Sequence, residues 1–356
     1  MKFKNLQLED VIVLEDKKRK PLSIIDRSKR KGIYPYYGAQ EIIDSIDDYI
    51  FYGKYILLAE DGENLKSRKK DLVKIVEGKF WLNNHAHIFK VKENVDLEYL
   101  YYYLLKLDLD EYITGSTQPK LNQENMNKIK IKLPELKIQR KISKILSNID
   151  GKIKLNNEIN NNLYEEAVAL YKDKFKGIGQ GKKTIGDYII PKRGKNLLTR
   201  DAIYGDTPVV AGGIDPSTYH NQFNTKSPVI TISASGANAG YTNLWDIPVW
   251  ASDCSYIDNS ITKNVYFWYI VLKTRQEEIF DAQTGSAQPH IYPQHIAEMS
   301  IGELNIAEVE KYNNLAAPLF KMIGENQKEN KKLSQLRDTL LPKLMNGEID
   351  LDNIEI

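Results

Sequence analysis

Two passages of this chain are copies of one another, and this duplication constrains the fold more than any other feature of the sequence. The residues TGSTQP at 114–119 return as TGSAQP at 284–289, a shift of 170 residues. The same shift, without a gap, aligns apolar with apolar residues and asparagine with asparagine over about fifty residues. We therefore expect two halves built to one plan.

A long amphipathic helix is predicted after the repeated loop in each half. Apolar residues recur there at steps of three and four, which places them on one helix face and forms a coiled-coil seam. Pro134 precedes the first helix, whereas the second copy has Leu304 at that place, so the second helix is expected to begin differently. The predicted seam residues are Ile149, Ile153, Asn156, Asn160, Leu163, Leu319, Ile323, Asn326, Asn330 and Leu333, with Leu315 extending the second copy.

Asparagines inside an apolar seam indicate a specific partner helix. A buried Asn costs stability unless its amide finds a partner, and its best-attested use is to set the register between helices. The copies also differ in charge, which is +5 for residues 111–176 and −4 for residues 284–356. This favours an intramolecular antiparallel coiled coil of helices about 35 residues and about 50 Å long. The alternative is two unrelated surface helices, each covering its own domain.

Each predicted helix follows a variable, β-rich segment. In the first segment short β-type runs are broken by turn residues, and a helix over Leu97–Leu107 closes it. The second segment repeats its landmarks with loops of different length, such as Trp250 for Trp81 and Gly236 for Gly62. We predict an α+β fold with a pseudo-two-fold internal repeat, in which two β-rich domains are separated by two long helices. The predicted boundaries are 1–110 and 177–283 for the domains, and 111–176 and 284–356 for each loop plus helix.

Composition is that of an ordinary globular protein, with 42% hydrophobic residues. No apolar run is long enough to span a membrane and no signal sequence is recognisable, so we expect a cytoplasmic protein. A single cysteine, Cys254, excludes an internal disulfide and a Cys-based zinc cluster. Net charge is only +2, but basic runs at 17–20, 27–31 and 66–70 fit either phosphate contacts or solvated loops.

The ordered set of these features resembles the specificity subunit of type I restriction-modification systems. The resemblance rests on TGSTQPKLN at 114–122, TGSAQPHIYP at 284–293 and LRDTLLPKLMNGEI at 336–349, and the layout covers all 356 residues. In that family two target-recognition domains alternate with two conserved helical regions. The resemblance implies a non-catalytic subunit whose domains each read one half of a bipartite DNA site, while the helix pair sets the spacer.

The resemblance also implies that catalysis resides in partner subunits. Family members bind double-stranded DNA and two methyltransferase subunits, and restriction and translocase subunits join that complex. S-adenosylmethionine, ATP and magnesium are therefore expected in the partners, with no cofactor in this chain. In keeping with this, the sequence has no amino-methylation motif, no methyl-donor loop and no phosphate-binding G-x-x-x-x-G-K-[ST] loop.

Two other functions stay open on the sequence alone. One is the separate specificity chain of a fused methylase-nuclease of the type IIB or IIG kind. The other is a duplicated-domain scaffold that binds protein or glycan. Specific DNA affinity that falls steeply with salt separates DNA recognition from a scaffold, because phosphate contacts release counterions.

Candidate DNA-binding residues concentrate in the loops at 60–64 and 233–238, where glycine stands beside polar side chains after a central strand. Asn reads adenine well, and Lys and Arg neutralise phosphate. The residues predicted to contact bases are Asn64, Asn83, Asn84, Ser235, Asn238 and Asp253. Those predicted to contact phosphate are Arg19, Lys20, Lys66, Arg68, Lys192, Arg193 and Arg200. Gln118, Lys120, Gln288 and His290 lie on the repeated loops and are predicted to contact the DNA backbone or hold the domain junction. A structural or solvated role is the alternative for each.

Two residue groups suggest catalysis or a metal, and both are better explained otherwise. Asp71, Glu77 and Lys79 follow the order of a metal-dependent nuclease motif, but the spacing is short and one exposed strand accounts for both carboxylates. His85 and His87 lie two residues apart, so they share one strand face. Since no third Cys or His ligand is nearby, we predict hydrogen-bonded structural histidines and no metal site.

Overall fold

The computed structural model of the chain describes residues 2–39, 41–115, 117–285 and 288–351. Ser116, Ser286 and Ala287 of the repeated loops therefore lie outside the described residues. The chain divides into two units, Met1–Lys152 together with Lys332–Ile356, and Ile153–Lys331. Both long helices contribute a section to each unit. The domain boundaries predicted from the sequence stay predictions.

A six-stranded sheet is the centre of the first unit. The strands of this unit are β1 (Lys4–Gln7), β2 (Ile12–Leu14), β3 (Lys31–Tyr37), β4 (Ile42–Ile46), β5 (Phe51–Ala59), β6 (Val73–Leu82), β7 (Ala86–Val91) and β8 (Lys130–Leu133). The sheet has the order β2-β7-β5-β6-β3-β4 and is antiparallel apart from the parallel pair β3–β6, while β1 pairs with β8 separately.

Strand β5 is buried on both faces because its side chains alternate between two cores. Ile56 and Leu58 belong to the larger core, whereas Tyr55 and Leu57 belong to an aromatic core with Phe80. The short helices of this unit are α1 (Leu8–Val11), α2 (Ile24–Ser28), α3 (Asn64–Ser67), α4 (Leu97–Lys106) and α5 (Gln123–Asn127). Helix α4 is the helix that the sequence predicted over Leu97–Leu107.

The second unit repeats this plan with shorter strands. They are β9 (Lys183–Thr184), β10 (Lys192–Arg193), β11 (Thr207–Val210), β12 (Thr218–His220), β13 (Val229–Ser233), β14 (Thr242–Trp245), β15 (Trp250–Ala251), β16 (Cys254–Asp258) and β17 (Ser300–Ile301). They form sheets β10-β16-β13-β14 and β12-β11-β15, and β9 pairs with β17. The parallel pairing of Val209 with Trp250 matches that of Tyr36 with Trp81, which confirms the predicted internal repeat.

Two long helices complete the fold, α6 (Leu136–Lys174) and α10 (Ile306–Met345). The remaining helices are α7 (Val265–Thr274), α8 (Gln276–Asp281) and α9 (Pro293–Ala297). The long helices have 39 and 40 residues, slightly more than predicted. The second one begins at Ile306, the place equivalent to Leu136, so the lack of a proline does not shift its start. The Asn305 side chain accepts a hydrogen bond from the Ala307 N–H (3.1 Å) and acts as its cap. No helix among the described residues is both long and apolar enough to cross a bilayer.

The two long helices are antiparallel in each unit, which confirms the predicted helix pair. In the first unit the Arg337 guanidinium donates to Asp150 (2.8 Å), and the Lys141 ammonium reaches the Leu351 carbonyl further along the chain. In the second unit the Tyr312 hydroxyl donates to the Ala167 carbonyl (2.9 Å). Within each unit, residues that lie later on α6 therefore pair with residues that lie earlier in the carboxy-terminal part of the chain.

The seam asparagines hydrogen-bond across the helix pair. The Asn156 amide donates to Asn330 (2.9 Å), and the Asn326 amide donates to Asn160 (2.8 Å), both within the second unit. Asn156 is buried, and the Asn330 amide also donates to Asn157 (2.9 Å). Of the other predicted seam residues Ile149 is buried, and those at intermediate burial are Ile153, Leu163, Leu319, Ile323 and Leu333.

Leu315 does not lie on the seam as predicted, since 46% of its surface is exposed. The buried apolar residues around it on α10 are instead Tyr312, Ala316 and Phe320. Their aromatic rings pack against helix α7, for example Phe320 against Tyr266 with ring centroids 5.3 Å apart. The helix here is oriented by the β-rich domain as well as by its partner helix.

A buried amide on a long helix fixes each β-rich domain to that helix. In the first unit Gln139 accepts a hydrogen bond from the Asp96 N–H (2.8 Å) at the start of α4. In the second unit Asn313 accepts from the Tyr266 N–H (3.0 Å) at the start of α7. Both side-chain amides accept from N–H groups at the start of a helix, which have no partner within the helix itself. Each domain is thus attached to the long helix that follows it in the sequence.

Candidate nucleic-acid interface

The repeated loop closes on itself in the same way in both halves. Thr114 and Lys120 exchange two main-chain hydrogen bonds of 2.8 Å, and Thr284 and His290 exchange bonds of 3.0 and 2.8 Å. Gly115 has φ +86°, and a Cβ there would lie 2.3 Å from the Gln118 carbonyl oxygen. A side chain at this place is therefore excluded, which explains the repeated glycine.

The repeated loop binds the loop that follows the central strand of its own domain. β-Bridges join Asp61 to Lys120 in the first unit and Ser235 to His290 in the second. Next to these bridges the Leu121 N–H donates to the Glu60 carbonyl (2.8 Å), and the Ile291 N–H donates to the Ala234 carbonyl (2.9 Å). The structure thus brings the two kinds of loop predicted to face DNA together in each unit.

Charged side chains lie under this junction in the first unit. Arg19 pairs with Glu60 (2.6 Å), and Glu60 also pairs with Lys120 (3.2 Å). Asp16 lies 3.2 Å from Arg19 and 2.6 Å from the Nδ1 atom of His87. Buried charges of this kind need partners, and here each carboxylate has at least one cation beside it. Glu60, Asp16 and His87 were not among the residues singled out for DNA contact.

A smaller polar cluster occupies the junction of the second unit. The Asp253 carboxylate accepts hydrogen bonds from the Arg193 guanidinium and from the Ser235 hydroxyl. The Ala234 N–H also donates to the Asp253 carbonyl (3.1 Å). Three residues predicted separately from the sequence are therefore one hydrogen-bonded group. Lys192 precedes Arg193 on β10 and is exposed.

The asparagines predicted to read bases divide into bonded and free amides. The Asn64 side chain donates to the Lys70 carbonyl (2.7 Å) and accepts from the Lys70 N–H (2.9 Å). The Asn83 side chain is buried and accepts from the His85 N–H (2.9 Å). Within the described part of the chain the side chains of Asn84 and Asn238 make no hydrogen bond. Asn84 is exposed and Asn238 is partly exposed. These two amides have the freedom that base reading requires.

The other predicted contacts are mostly surface residues. Arg68 pairs with Asp110 (2.6 Å) and has φ +50°, and Arg200 lies 3.8 Å from Asp201. Exposed residues among the other predicted DNA contacts include Lys20, Lys66, Gln118, Arg200 and Gln288. The ring of His290 packs beside that of Tyr292, with centroids 6.0 Å apart. DNA contact by each of these residues stays a prediction.

Internal carboxylates neutralise one of the basic runs. Arg27 lies 3.3 Å and Lys31 2.6 Å from Asp44, and Arg30 lies 2.9 Å from Asp47. The basic run therefore meets Asp44 on strand β4 and Asp47 just after it. The sequence carried a signal for this, because the acidic segment 44–48 follows the basic run at hairpin distance. The run at 27–31 is thus largely paired within the domain.

The suspected nuclease motif does not form a site. Glu77 lies inside β6 and Asp71 precedes that strand, so six residues of nearly extended chain separate the carboxylates by about 20 Å. Lys79 lies over the ring of Tyr49, 4.8 Å from its centroid. Burial raises the pKa of the Cys254 thiol to about 12, so this cysteine is a poor nucleophile at neutral pH.

The two histidines are hydrogen-bonded, as predicted. His85 bonds Asp61 through Nδ1 (2.9 Å), while the buried His87 bonds Asp16 and the Leu121 carbonyl (2.6 and 2.7 Å). Among the described residues Asp16, Glu60 and His87 bring ligand atoms within 4.8 Å of one another, a grouping that the sequence did not reveal. Arg19 already pairs with both carboxylates of this group.

Comparison with known proteins gives one consistent result. Residues 1–165 match the family model described as the type I restriction modification DNA specificity domain. A putative type I restriction enzyme specificity subunit of Haemophilus influenzae is 34% identical over 139 residues, which are 39% of this chain and 35% of that protein. The MjaIX specificity subunit of Methanocaldococcus jannaschii is 26% identical over 308 residues, 74% of this chain and 71% of the relative.

A solved structure has the same fold over nearly the whole chain. The crystal structure of the type I restriction-modification S subunit from M. genitalium matches with a TM-score of 0.65 and 18% identity, covering 97% of this chain and 96% of that one. The match to the Haemophilus protein spans only about a third of its length. The first 165 residues thus match the type I DNA specificity domain, and the chain as a whole has the fold of a type I S subunit, with duplicated domains and antiparallel helices.

Proposed function

We propose that this chain is the non-catalytic DNA sequence-specificity subunit of a type I restriction-modification complex. Each β-rich domain reads one half of a bipartite site in double-stranded DNA, and the helix pair sets the number of unread base pairs between the halves. The observation that carries this proposal is the duplicated junction, in which the repeated loop bonds to the loop after the central strand in both units. Two equivalent surfaces in one chain suit a site made of two parts.

The helix pair supports the spacer role. Each domain is attached to a long helix by a buried amide, Gln139 or Asn313, and the helices rise about 1.5 Å per residue. Helices of 39 and 40 residues are therefore about 60 Å long. Allowing for the part that each domain covers, this length suits half-sites about one DNA turn apart on one face of the duplex.

The proposed partners are two methyltransferase subunits and the restriction and translocase subunits. They supply the chemistry, so S-adenosylmethionine, ATP and magnesium bind to them and not to this chain. The names of the curated relatives, which are specificity subunits of restriction enzymes, support such an assembly. We expect the complex to act in the cytoplasm.

Methylome sequencing of a host that expresses this chain with its methyltransferase tests the proposal. We expect modified bases at one split motif and loss of that motif when the chain is deleted. A methylation pattern that does not change on deletion contradicts the proposal. Filter binding adds a direct test, since affinity for a duplex carrying the motif (the site duplex) should fall steeply as salt rises. A protein-binding or glycan-binding scaffold would show no preference for the site duplex.

A further inference from the structure

The Arg19 guanidinium already bonds to four acceptors inside the first unit. Its Nη1 atom donates to Glu60 (2.6 Å) and to the Ala86 carbonyl (2.7 Å), and its Nε atom donates to the Asp16 carbonyl (3.1 Å). Its Nη2 atom lies 3.2 Å from the Asp16 carboxylate, and the side chain is only 13% exposed. Binding a phosphate would require this planar group to leave acceptors that match its geometry.

Glu60 connects Arg19 to the repeated loop. Its second carboxylate oxygen lies 3.2 Å from the Lys120 ammonium, and its carbonyl accepts from the Leu121 N–H (2.8 Å). Its own N–H donates to the His85 carbonyl (3.0 Å). Glu60 is 12% exposed whereas Lys120 is 53% exposed, so one carboxylate joins a buried cation to an accessible one.

His87 supports the same arrangement from the core. The imidazole lies between the Asp16 carboxylate (2.6 Å) and the Leu121 carbonyl (2.7 Å), and only 1% of the side chain is exposed. Asp16 also accepts from the Ile88 N–H (2.8 Å), so it is tied to β7. Arg19 and the repeated loop are therefore held by one buried polar group.

We propose that Arg19 is a positioning residue for DNA recognition. It acts through Glu60 to place Lys120 and the loop at 60–64, and Lys120 is the cation of this group that contacts phosphate. This inference rests on the proposed function and assigns Arg19 a different role from the phosphate contact that the sequence predicted. It concerns the first unit specifically, because the second unit has Ala234 and His290 at the equivalent places.

Arg193 of the second unit offers a comparison with Arg19. Within the described residues Asp253 is its only ion-pair partner, and its side chain is 42% exposed. An exposed pair of this kind contributes little to stability and leaves N–H groups free for a phosphate. Arg193 is thus placed where lysine can substitute for arginine.

Charge-conserving variants separate positioning from phosphate contact. The chain, in complex with its methyltransferase, is titrated with the site duplex and with a mixed-sequence duplex over a range of salt. Arg19→Lys keeps the charge but loses the planar guanidinium with its several N–H donors, so we expect affinity for the site duplex to fall about ten- to a hundredfold. The salt slope and the affinity for the mixed duplex stay unchanged. Arg193→Lys should lower the two affinities less than Arg19→Lys lowers the affinity for the site duplex. Arg140→Lys, on the exposed face of α6 and outside the recognition loops, is the matched control and should bind both duplexes like the unaltered chain.

Charge-removing variants complete the test. Lys120→Gln should reduce the steepness of log affinity against log salt by about 0.9, the effect of one phosphate contact. Arg19→Gln should leave the slope unchanged, and the Arg19→Gln, Glu60→Gln double variant avoids an unpaired carboxylate if the single variant does not fold. Wild-type affinity in Arg19→Lys, or an equal loss of slope in Arg19→Gln and Lys120→Gln, overturns the inference. Absence of any preference for the site duplex in the unaltered chain overturns the proposed function instead.

Discussion

At the scale of single residues, the structure separates polar side chains that hold a loop from those left free beside it. Asn64 and Asn83 are committed to main-chain groups, while Asn84 and Asn238 are not bonded among the described residues. All four look equivalent in the sequence, because each is an Asn near a glycine or a turn. Only the three-dimensional arrangement shows which amides can turn towards a ligand.

Asn84→Ala and Asn238→Ala should each relax base preference at one position of the motif. A good bidentate contact to a base contributes about 1–3 kcal/mol of discrimination, so the altered position should accept a second base. Competition binding with single-base variants of the site duplex measures this. Asn83→Ala is the matched control, which we expect to lower stability and leave the base preference unchanged. An unaltered preference in both exposed variants would falsify their role in reading.

Long-range ion pairs were the part of the site that the sequence could not show. Arg19 and Glu60 are 41 positions apart, and nothing in the spacing of either residue indicates the other. The basic run at 27–31 differs, because the acidic segment 44–48 follows it at hairpin distance, and strand β4 and the residue after it bring Asp44 and Asp47 beside the run. The sequence gives the number of charged residues, whereas the pairing of the strands determines which of them form ion pairs.

At the scale of elements, periodicity predicted the long helices well because each is repeated over many turns. The duplicated register alone predicts the helix pair and its asparagines, and the predicted end of α4 lies within one residue of the observed end. The short strands β1 and β9 were not predicted. They have four and two residues and are held by pairing with β8 and β17, so local pattern carries too little information.

Two glycines in the long helices should respond in opposite ways to alanine. Gly151 has no atom within 4 Å of a Cβ placed on it, so Gly151→Ala should stabilise α6 by about 1 kcal/mol. At Gly324 a Cβ would lie 2.7 Å from that of Asp246, and overpacking should cost about 1–3 kcal/mol. Thermal unfolding of the two variants measures both effects. Shifts in the same direction would contradict the close approach at Gly324.

The asparagine layer of the helix pair (Asn156, Asn160, Asn326 and Asn330) should lose stability when only one of its residues is replaced. Asn156→Ala removes the buried donor to the Asn330 side-chain oxygen, so we expect a loss of about 1–3 kcal/mol in urea unfolding. Replacing both residues with leucine should be neutral or stabilising, since the partners that they leave, Asn157 and Glu329, are exposed to water, but register is less strictly set. Asn162→Ala, an exposed position on the same helix, is the control and should change stability by less than about 0.5 kcal/mol.

At the scale of the whole molecule, the proposed reading of a divided DNA site depends on two attachment points and one helix pair. A heptad inserted into both long helices adds about 10 Å and nearly preserves the seam phase. The unread gap should therefore grow by about three base pairs, which methylome sequencing reads directly. A heptad in only one helix mismatches the asparagine layer and should abolish modification. An unchanged gap in the double insertion would reject the spacer role.

The division of the first unit between two chain segments also affects how the protein is made. Its core includes Leu341, Leu344 and Leu351, which the ribosome synthesises after the whole of Ile153–Lys331. The second unit is continuous in sequence and can close while translation proceeds. The amino-terminal domain, although it emerges first, has to wait with part of its apolar interior uncovered. During synthesis we therefore expect chaperones to engage the domain that was translated earliest.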